Sequence, residues 1–359
     1  MKNHHSIIVI GAGLSGLYTA WRLHQQQKDV VLLEARDRIG GRILSTCIGD
    51  KKENCVDLGP AWVWPQLQPR LNNLFVELDI KLFNQFTQGD MLYEASVNNT
   101  QRHSSKSSHS QSYRIAGGSQ TLVDTLAARL PDSSVYTNFR VISIDQESRC
   151  IKAQTDNELC EFSADDIILA LPTRIAQQSI EFKPPLSPGI TELWRSTPTW
   201  MAGHCKMVFI YKRAFWREQG LSGEVFSHLG PLSEIYDGSP ANESFYALTA
   251  FVGLAAQQRQ QFSSQQLIEM SLAQLQRLFG DESKNTEDIL IQDWSRESFT
   301  STDMDIQQPA NHPTYSEASP RCLQGGHIII SGTETAREHG GYLEGALESA
   351  DDALSVLAS

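Results

Sequence analysis

Apolar residues recur at different spacings in different parts of the chain. Ser6–Ile10 is an almost continuous β-branched run, as in a parallel strand that is buried on both faces. Residues 17–23 carry apolar side chains at helical spacing, and a second apolar run follows at Val30–Leu33. This order predicts a strand–helix–strand unit at the start of the chain.

The middle of the chain instead alternates apolar and polar residues at every second position. Such alternation is typical of strands that bury one face. The predicted strands are residues 206–211, 224–227, 233–236 and 244–251. They favour a mainly antiparallel sheet within residues 184–293.

Two helices have recognisable beginnings. Ser119 precedes an amphipathic stretch that runs to Leu130, so we expect Ser119 to be its N-cap. Ser263 and Gln266 form a capping-box sequence before a second stretch whose leucines share one face. This second helix is expected to have a structural role and no role in catalysis or binding.

Composition places the chain among folded globular proteins. Its 359 residues are 40% hydrophobic and 20% charged, and the formal net charge is −12. This acidic balance disfavours nucleic-acid and anionic-membrane partners, which select basic patches. The chain begins without a signal-peptide pattern, has no apolar run long enough to span a bilayer, and carries six scattered cysteines. We therefore expect reduced thiols, no metal site, no membrane partner and a cytoplasmic protein.

A glycine motif lies between the first strand and the first helix. Gly11, Gly13 and Gly16 form G-x-G-x-x-G in the context that makes this motif meaningful. Gly11 permits a tight turn, Gly13 lets the backbone approach a pyrophosphate, and Gly16 lets the helix pack against the strand. The helix N-terminus then offers free N–H groups to the phosphates. Glu34, after the second strand, can accept both ribose hydroxyls and would repel a 2′-phosphate, which favours FAD or NAD over NADP.

The segment after Glu34 separates FAD from NAD. NAD enzymes have no reason to carry Gly40-Gly41-Arg42 here, and at this point the chain resembles the flavin amine oxidase superfamily, which includes monoamine oxidase, polyamine oxidase and L-amino-acid oxidase. In that family the arginine matching Arg42 contacts the pyrophosphate, and a guanidinium fork suits diphosphate oxygens. The resemblance therefore implies FAD as the cofactor.

The resemblance runs nearly end to end. Residues 57–62 (D-L-G-P-A-W) are similar to the family segment whose backbone lines the flavin ring, and Val141 lies on a strand similar to the one that meets the adenine. The most specific match is G-T-E-T at residues 332–335, followed by G-G-Y-L-E-G-A at residues 340–346. In the family, the acid matching Glu334 lies near the ribityl and pyrophosphate portion, and the helix that follows points its N-terminus at the flavin pyrimidine.

The motifs and the resemblance together imply one set of cofactor-binding residues. They are Gly11, Gly13, Leu14, Ser15, Gly16, Glu34, Ala35, Arg36, Gly41, Arg42, Gly59, Pro60, Ala61, Trp62, Val141, Trp294, Gly332, Glu334, Tyr342 and Leu343. Trp294 matches the family's tryptophan beside the pyrimidine ring. Ungapped counting from it places Asp303 where monoamine oxidases carry the flavin-linking cysteine, so we expect FAD to be bound noncovalently.

Lys206 and Tyr342 are the candidate catalytic residues. Alternation places Lys206 with Val208 and Ile210 on one face of an apolar strand, where a lysine is costly unless it has a partner. Lys206 matches the family's active-site lysine, which a water links to flavin N5, a position suited to helping oxygen react with reduced flavin. The alternative is a surface lysine on an edge strand, with its ammonium in water.

Tyr342 matches one ring of the aromatic cage that accepts the substrate amine in monoamine oxidases. The second ring has two candidate positions in this chain. Ungapped counting from Trp294 puts Met304 there, whereas a rival alignment puts His312 there. Neither residue is a tyrosine, so we expect at most half a cage.

Two other regions have simpler interpretations. The Ser/His/Asn-rich stretch at residues 98–112 is interpreted as a mobile loop rather than a metal site. Trp62 is favoured over Trp64 as a residue that lines the flavin pocket. Residues 83–114 occupy the place where monoamine oxidases carry a long helical insertion, so that insertion is missing here.

The predicted architecture is α/β. A Rossmann-type FAD-binding domain, assembled from residues 1–82, 114–183 and 295–359, accompanies a small α+β substrate domain of residues 83–113 and 184–294 with a mainly antiparallel sheet. The leading hypothesis is an FAD-dependent amine oxidase that acts on a small-molecule amine and oxygen. The alternatives are a related flavoprotein that oxidises NAD(P)H or desaturates a bulky substrate, and a noncatalytic FAD-binding protein. The oligomeric state stays open.

Overall fold

The computed structural model describes residues 3–97, 99–104, 111–307, 311–316, 319–323 and 325–358. The strands are β1 (His4–Ile10), β2 (Val30–Leu33), β3 (Ser45–Cys47), β4 (Cys55–Asp57), β5 (Leu82–Asn84), β6 (Asp90–Ser96), β7 (Asn99–Ser104), β8 (Tyr113–Ile115), β9 (Val135–Tyr136), β10 (Arg140–Asp145), β11 (Cys150–Gln154), β12 (Leu159–Leu169), β13 (Glu181–Lys183), β14 (Cys205–Tyr211), β15 (Leu221–Ser227), β16 (Leu232–Asp237), β17 (Tyr246–Val252), β18 (Asp288–Asp293) and β19 (Ile328–Ile330). The helices are α1 (Leu14–Gln25), α2 (Pro69–Leu78), α3 (Gln120–Ala127), α4 (Thr173–Ser179), α5 (Pro188–Ser196), α6 (Phe215–Glu218), α7 (Ala256–Arg259), α8 (Ser264–Phe279), α9 (Asp303–Gln307) and α10 (Leu343–Leu357).

The first sheet is built around the N-terminal strand. Within the described ranges it has eight strands in the order β13-β10-β11-β12-β1-β2-β9, with β19 paired to β12. β1 runs parallel to both of its neighbours, β12 and β2, and every residue of β2 is buried. Helices α1 and α10 pack on one face of this sheet, through residues such as Leu17, Trp21 and Leu347. The predicted strand–helix–strand unit and the Rossmann-type α/β fold are confirmed.

The second sheet has seven strands among the described residues, in the order β18-β14-β17-β16-β15-β6-β7. Every neighbouring pair is antiparallel except β6 and β15, so the predicted mainly antiparallel sheet is confirmed. The four predicted strands correspond to β14, β15, β16 and β17, each with slightly different ends. Helix α8 covers one face of this sheet and begins with the predicted capping box of Ser263 and Gln266.

Strand β14 lies inside the second sheet, between β17 and β18. The side chains on its two faces pack into different hydrophobic cores, as the alternation predicts. Met207 and Phe209 pack in the cluster beneath α8, whereas Val208 and Ile210 pack against Val56 of β4 and its neighbours. Lys206 belongs to the second face and is only 3% exposed, so the alternative of a surface lysine on an edge strand is wrong.

Two local predictions need correction. Ser119 precedes α3, but its hydroxyl donates to the Asp57 carboxylate instead of accepting from the helix backbone, and the helix ends at Ala127 rather than Leu130. The supposed loop at residues 98–112 contains the regular strand β7, which pairs with β6 because main-chain hydrogen bonding does not depend on apolar side chains. Asn98 and residues 105–110 of that stretch lie outside the described residues.

The expectation of six reduced cysteines is wrong for one pair. Cys47 and Cys55 are joined by a disulfide, because the antiparallel pairing of β3 with β4 places them directly opposite each other. The sequence spacing alone did not indicate that these two short strands would pair. The cysteines without a disulfide are Cys150, Cys160, Cys205 and Cys322.

The strands of the first sheet all fall within the segments predicted for the FAD-binding domain, and those of the second sheet within the segments predicted for the substrate domain. The domain boundaries themselves stay a prediction. None of the helices in the described ranges combines the length and the hydrophobicity needed to cross a membrane.

Candidate flavin and amine site

A cavity of about 1080 Å³ is lined by residues of both sheets. Its wall includes every predicted cofactor-binding residue except Gly16, together with Lys206. Gly11 and Glu34 lie on the part of the wall formed by the first sheet, while Lys206 lies on the second sheet. The structure therefore brings together residues that are hundreds of positions apart in the sequence.

The glycine turn after β1 has three different environments. At Gly11, φ is +104°, and an added Cβ would lie 2.5 Å from the Ala170 carbonyl oxygen. At Gly16, an added Cβ would lie 1.9 Å from the Gly11 carbonyl oxygen, so Gly16 serves close packing and not the cavity wall. Apart from Gly13 itself and its two chain neighbours, no described residue has an atom within 4 Å of a Cβ added at Gly13, which caps α1. The chain thus leaves open the space next to the helix N-terminus that a pyrophosphate requires.

Glu34, the predicted ribose-binding residue, lies on the cavity wall. Its carboxylate accepts hydrogen bonds from the backbone N–H groups of Ala12 (2.7 Å) and Arg36 (2.9 Å) and is 4% exposed. These bonds fix the orientation of the carboxylate and leave lone pairs for two hydroxyl donors. The Arg36 guanidinium is in turn held by Glu297 and Thr300.

Arg42 and Glu334 form an ion pair in the middle of the site, with 2.7 Å between Arg42 Nη2 and Glu334 Oε1. The Glu334 side chain is 1% exposed, and among the described residues its Oε2 atom has no hydrogen-bond partner. A buried carboxylate oxygen without a partner is costly, and a hydroxyl donor would satisfy it. This orphaned oxygen fits the ribityl portion of FAD, as the resemblance implies.

The side chain of Asp57 anchors the segment at residues 57–62. Asp57 Oδ1 accepts from the Ser45 hydroxyl (2.7 Å) and from both the backbone N–H (2.7 Å) and the hydroxyl (2.8 Å) of Ser119. The indole N–H of Trp294 donates to the Leu58 carbonyl oxygen at 3.1 Å. These bonds present the backbone of Gly59 and Pro60 to the cavity.

Lys206 lies directly against that segment. Its Nζ atom donates a hydrogen bond to the Gly59 carbonyl oxygen and lies 5.5 Å from the ring centre of Trp62 and 5.1 Å from that of Phe251. Burial lowers the pKa of Lys206 to about 8, and the Asp57 carboxylate opposes part of this shift. The ammonium is therefore still the major form at neutral pH, held by one carbonyl and two aromatic faces.

His312, and not Met304, lies beside Tyr342. The two rings stack with 4.9 Å between their centres and 13° between their planes, and His312 Nε2 lies 3.0 Å from the Gly340 carbonyl oxygen. Met304 belongs to α9 and is absent from the cavity wall, which includes His312. A guest between two rings needs about 7 Å, or two van der Waals contacts, so these rings leave no space between them. The two rings therefore form a single aromatic stack on the cavity wall.

Several wall residues were not anticipated. Trp64 also lines the cavity, although only Trp62 was favoured. His204 lines the cavity two positions before Lys206, at the same phase of the alternation, and this spacing could have identified it. Phe251 and Glu234 reach the wall through the pairing of β14 with β17 and of β17 with β16, which the sequence does not encode locally.

Comparison with known proteins assigns the family. Residues 91–353 match the family described as flavin containing amine oxidoreductase, and residues 9–78 match the NAD(P)-binding Rossmann-like domain. The chain belongs to the flavin containing amine oxidoreductase family. It is an FAD-dependent oxidoreductase, and the cavity described above fits that cofactor.

The similar proteins agree with this assignment. A probable flavin-containing monoamine oxidase A of Dictyostelium discoideum is 23% identical over 448 aligned positions that cover 97% of this chain and 96% of the relative. Wild-type putrescine oxidase bound to putrescine has a TM-score of 0.82 at 20% identity, and cyclohexylamine oxidase from Brevibacterium oxydans IH-35A has 0.83 at 18% identity. Each solved structure covers 99% of both chains. The alignment of 448 positions is longer than the 359 residues here, so the first relative carries segments that this chain lacks.

Proposed function

We propose that this protein oxidises an amine at the carbon that bears the nitrogen, with transfer of a hydride equivalent to flavin N5 and reoxidation by oxygen to give peroxide. Bound FAD supplies the redox chemistry, while the chain supplies binding, orientation and electrostatics. The observation that carries the proposal is Lys206, whose ammonium is buried on the cavity wall against Gly59.

Lys206 has a specific electrostatic role in this proposal. Its pKa of about 8 keeps the side chain positively charged at neutral pH, although the side chain is only 3% exposed. A fixed cation in such a site stabilises negative charge that develops next to it. Oxygen becomes negatively charged as it accepts an electron, so Lys206 favours its reduction.

The surroundings of Lys206 also suit a neutral amine. Trp62, Phe251, Trp200 and Tyr342 line the same cavity, and apolar surroundings disfavour the protonated form of an amine. Burial, followed by the nearby positive charges of Arg259 and Lys206, lowers the pKa of His204 to about 4, so this imidazole is neutral as well. The neutral amine is the form whose adjacent C–H bond can give up a hydride equivalent. The residues therefore select and position the reacting form without a general base.

We also propose that FAD is held noncovalently. None of the six cysteines, all of which are described, is on the cavity wall. A thiol linkage to the ring would require a cysteine at the flavin end, and the residues found there are Tyr342, His312 and Trp294.

Flavin bleaching and peroxide formation test the proposed reaction. Purified protein with FAD bound is mixed without oxygen with a panel of primary amines, amino acids and diamines, and the oxidised flavin absorbance is followed. At least one amine should bleach the flavin, and peroxide should form in equal amount when oxygen is admitted. Bleaching by NADH without any amine would favour the NAD(P)H-oxidising alternative. No bleaching by any compound would favour a noncatalytic flavin-binding protein.

A further inference from the structure

Glu234 and Lys206 lie in one row across the second sheet. Lys206 pairs with Phe251 on β17, and Phe251 pairs with Glu234 on β16. Directly paired residues on neighbouring strands point to the same face, and all three line the cavity. Neighbouring strands lie about 4.8 Å apart, so the Cα atoms of Lys206 and Glu234 are about 10 Å apart.

Glu234 differs from the other acids of the cavity wall in its ionic partners. Glu334 is paired with Arg42 at 2.7 Å, Asp305 is paired with Arg174, and Glu34 lies 3.9 Å from an Arg36 nitrogen. Within the described ranges Glu234 forms no ion pair, and its carboxylate accepts a hydrogen bond from the Tyr236 hydroxyl at 2.7 Å. Among the described residues, Glu234 is therefore the one wall carboxylate that has no ion-pair partner.

Arg259, an arginine of the cavity wall, offers no free partner for a negative group. Arg259 is 1% exposed, and its guanidinium is bound to the Asp293 carboxylate at 2.6 Å and to the carbonyl oxygens of Leu254 and Gly203. To pair with Arg259, a substrate carboxylate would have to break these bonds, and it would also face the Glu234 carboxylate. The charge pattern thus disfavours amino acids.

We propose that Glu234 binds a second, cationic group of the substrate, and that the site therefore prefers diamines over monoamines and amino acids. This inference rests on the proposed amine oxidation. One nitrogen, neutral and beside Tyr342 and Lys206, is at the carbon that is oxidised. The other nitrogen, protonated, meets Glu234, and the methylene groups between them pack against the rings of Trp62 and Phe251.

Matched amines and a charge-neutral variant test this inference. The rate of anaerobic flavin bleaching, divided by amine concentration in the linear range, is measured for butylamine and 1,4-diaminobutane with wild type and with Glu234→Gln. The glutamine still accepts the hydrogen bond from Tyr236 but has no charge. A hydrogen bond to a charged group corresponds to about 10- to 100-fold in affinity, so the diamine rate should fall by about that factor while the butylamine rate changes by less than about twofold.

Two further variants complete the test. Glu269→Gln removes an exposed carboxylate from α8 and should leave both rates unchanged. Glu234→Asp withdraws the carboxylate by one methylene, so the preferred length in a series of diamines should increase by about one carbon. Flavin content and melting temperature are measured for each variant, and if Glu234→Gln does not fold, Glu234→Asp decides the question.

The outcomes separate this inference from the proposed function. If butylamine bleaches the flavin and Glu234→Gln leaves the diamine rate unchanged, the role of Glu234 is wrong and amine oxidation stands. A wild type that oxidises monoamines as fast as diamines of every length would also overturn it. If no amine of any kind bleaches the flavin, the proposed function fails, and this inference fails with it.

Discussion

At the scale of single residues, the buried ammonium of Lys206 is the group whose chemistry depends most on its surroundings. It is held by the Gly59 carbonyl oxygen and two aromatic rings, and no carboxylate of the described residues forms an ion pair with it. Such a cation is expensive to bury, so its place on the cavity wall points to a role in the reaction.

Lys206→Met should slow the reaction of reduced flavin with oxygen on the order of 100-fold, because a preorganised charge at a reacting centre is worth about that much. FAD affinity should change far less, since Lys206 bonds to the protein backbone. Stopped-flow mixing of photoreduced protein with oxygenated buffer gives the rate. An unchanged reoxidation rate would remove Lys206 from the oxygen reaction.

The same residue predicts a dependence on pH. Its pKa is lowered to about 8, so the cation is present below pH 8 and is lost as the pH rises through that value. Reoxidation of the wild type should therefore slow between about pH 7 and pH 9, and Lys206→Met should show no such step. A step of the same size in both proteins would assign the titration to a different group.

At the scale of elements, two glycines at the junction of β1 and α1 have different roles. Gly13→Ala places a Cβ where, apart from residue 13 and its two chain neighbours, no described residue has an atom within 4 Å, and the Gly13 backbone (φ −74°) suits alanine. The variant should fold normally but bind FAD about 10-fold or more weakly, because the methyl group occupies pyrophosphate space. Flavin titration of the apoprotein measures the affinity.

Gly16→Ala provides the contrasting variant. Its Cβ would lie 1.9 Å from the Gly11 carbonyl oxygen, so the first turn of α1 would have to move away from β1. A loss of about 3 kcal/mol or more in the free energy of unfolding is expected, which a urea titration of the apoprotein detects. If both variants behave alike, the division of roles between the two glycines is wrong.

Local pattern was enough for most of these elements, but not for all of the site. The apolar run at Ser6–Ile10 and the alternation around Lys206 predicted β1 and the inward face of β14, since burial acts directly on the identity of each residue. Strand β7 was missed because its side chains are exposed and polar. Glu234 was missed because its position depends on which strands pair, and the choice between Met304 and His312 depended on the path of the chain between them. Pairing between strands that are distant in the sequence cannot be predicted from a short stretch of residues.

At the scale of the whole molecule, the cofactor joins segments that are distant in the sequence. The cavity wall takes residues from the glycine turn, from the 57–62 segment, from β14 and from residues 332–346. A ligand that binds only the assembled wall stabilises the folded state in proportion to the logarithm of its concentration. FAD removal should therefore lower the melting temperature of the entire protein in one transition.

Denaturation also tests the mode of attachment. Acid or heat should release the flavin into the supernatant, because no cysteine reaches the cavity wall. Absorbance of the supernatant after centrifugation measures the released fraction. Yellow colour that stays with the precipitated protein would contradict noncovalent binding.

The participation of α10 in the wall has a consequence for biosynthesis. Leu343 and Ala346, which line the cavity, are translated more than three hundred residues after Gly11 and Gly13. A growing chain folds from its N-terminal end as it leaves the ribosome. The complete wall forms only after residues 332–346 have been synthesised, so we expect FAD to be loaded at the end of translation or after release.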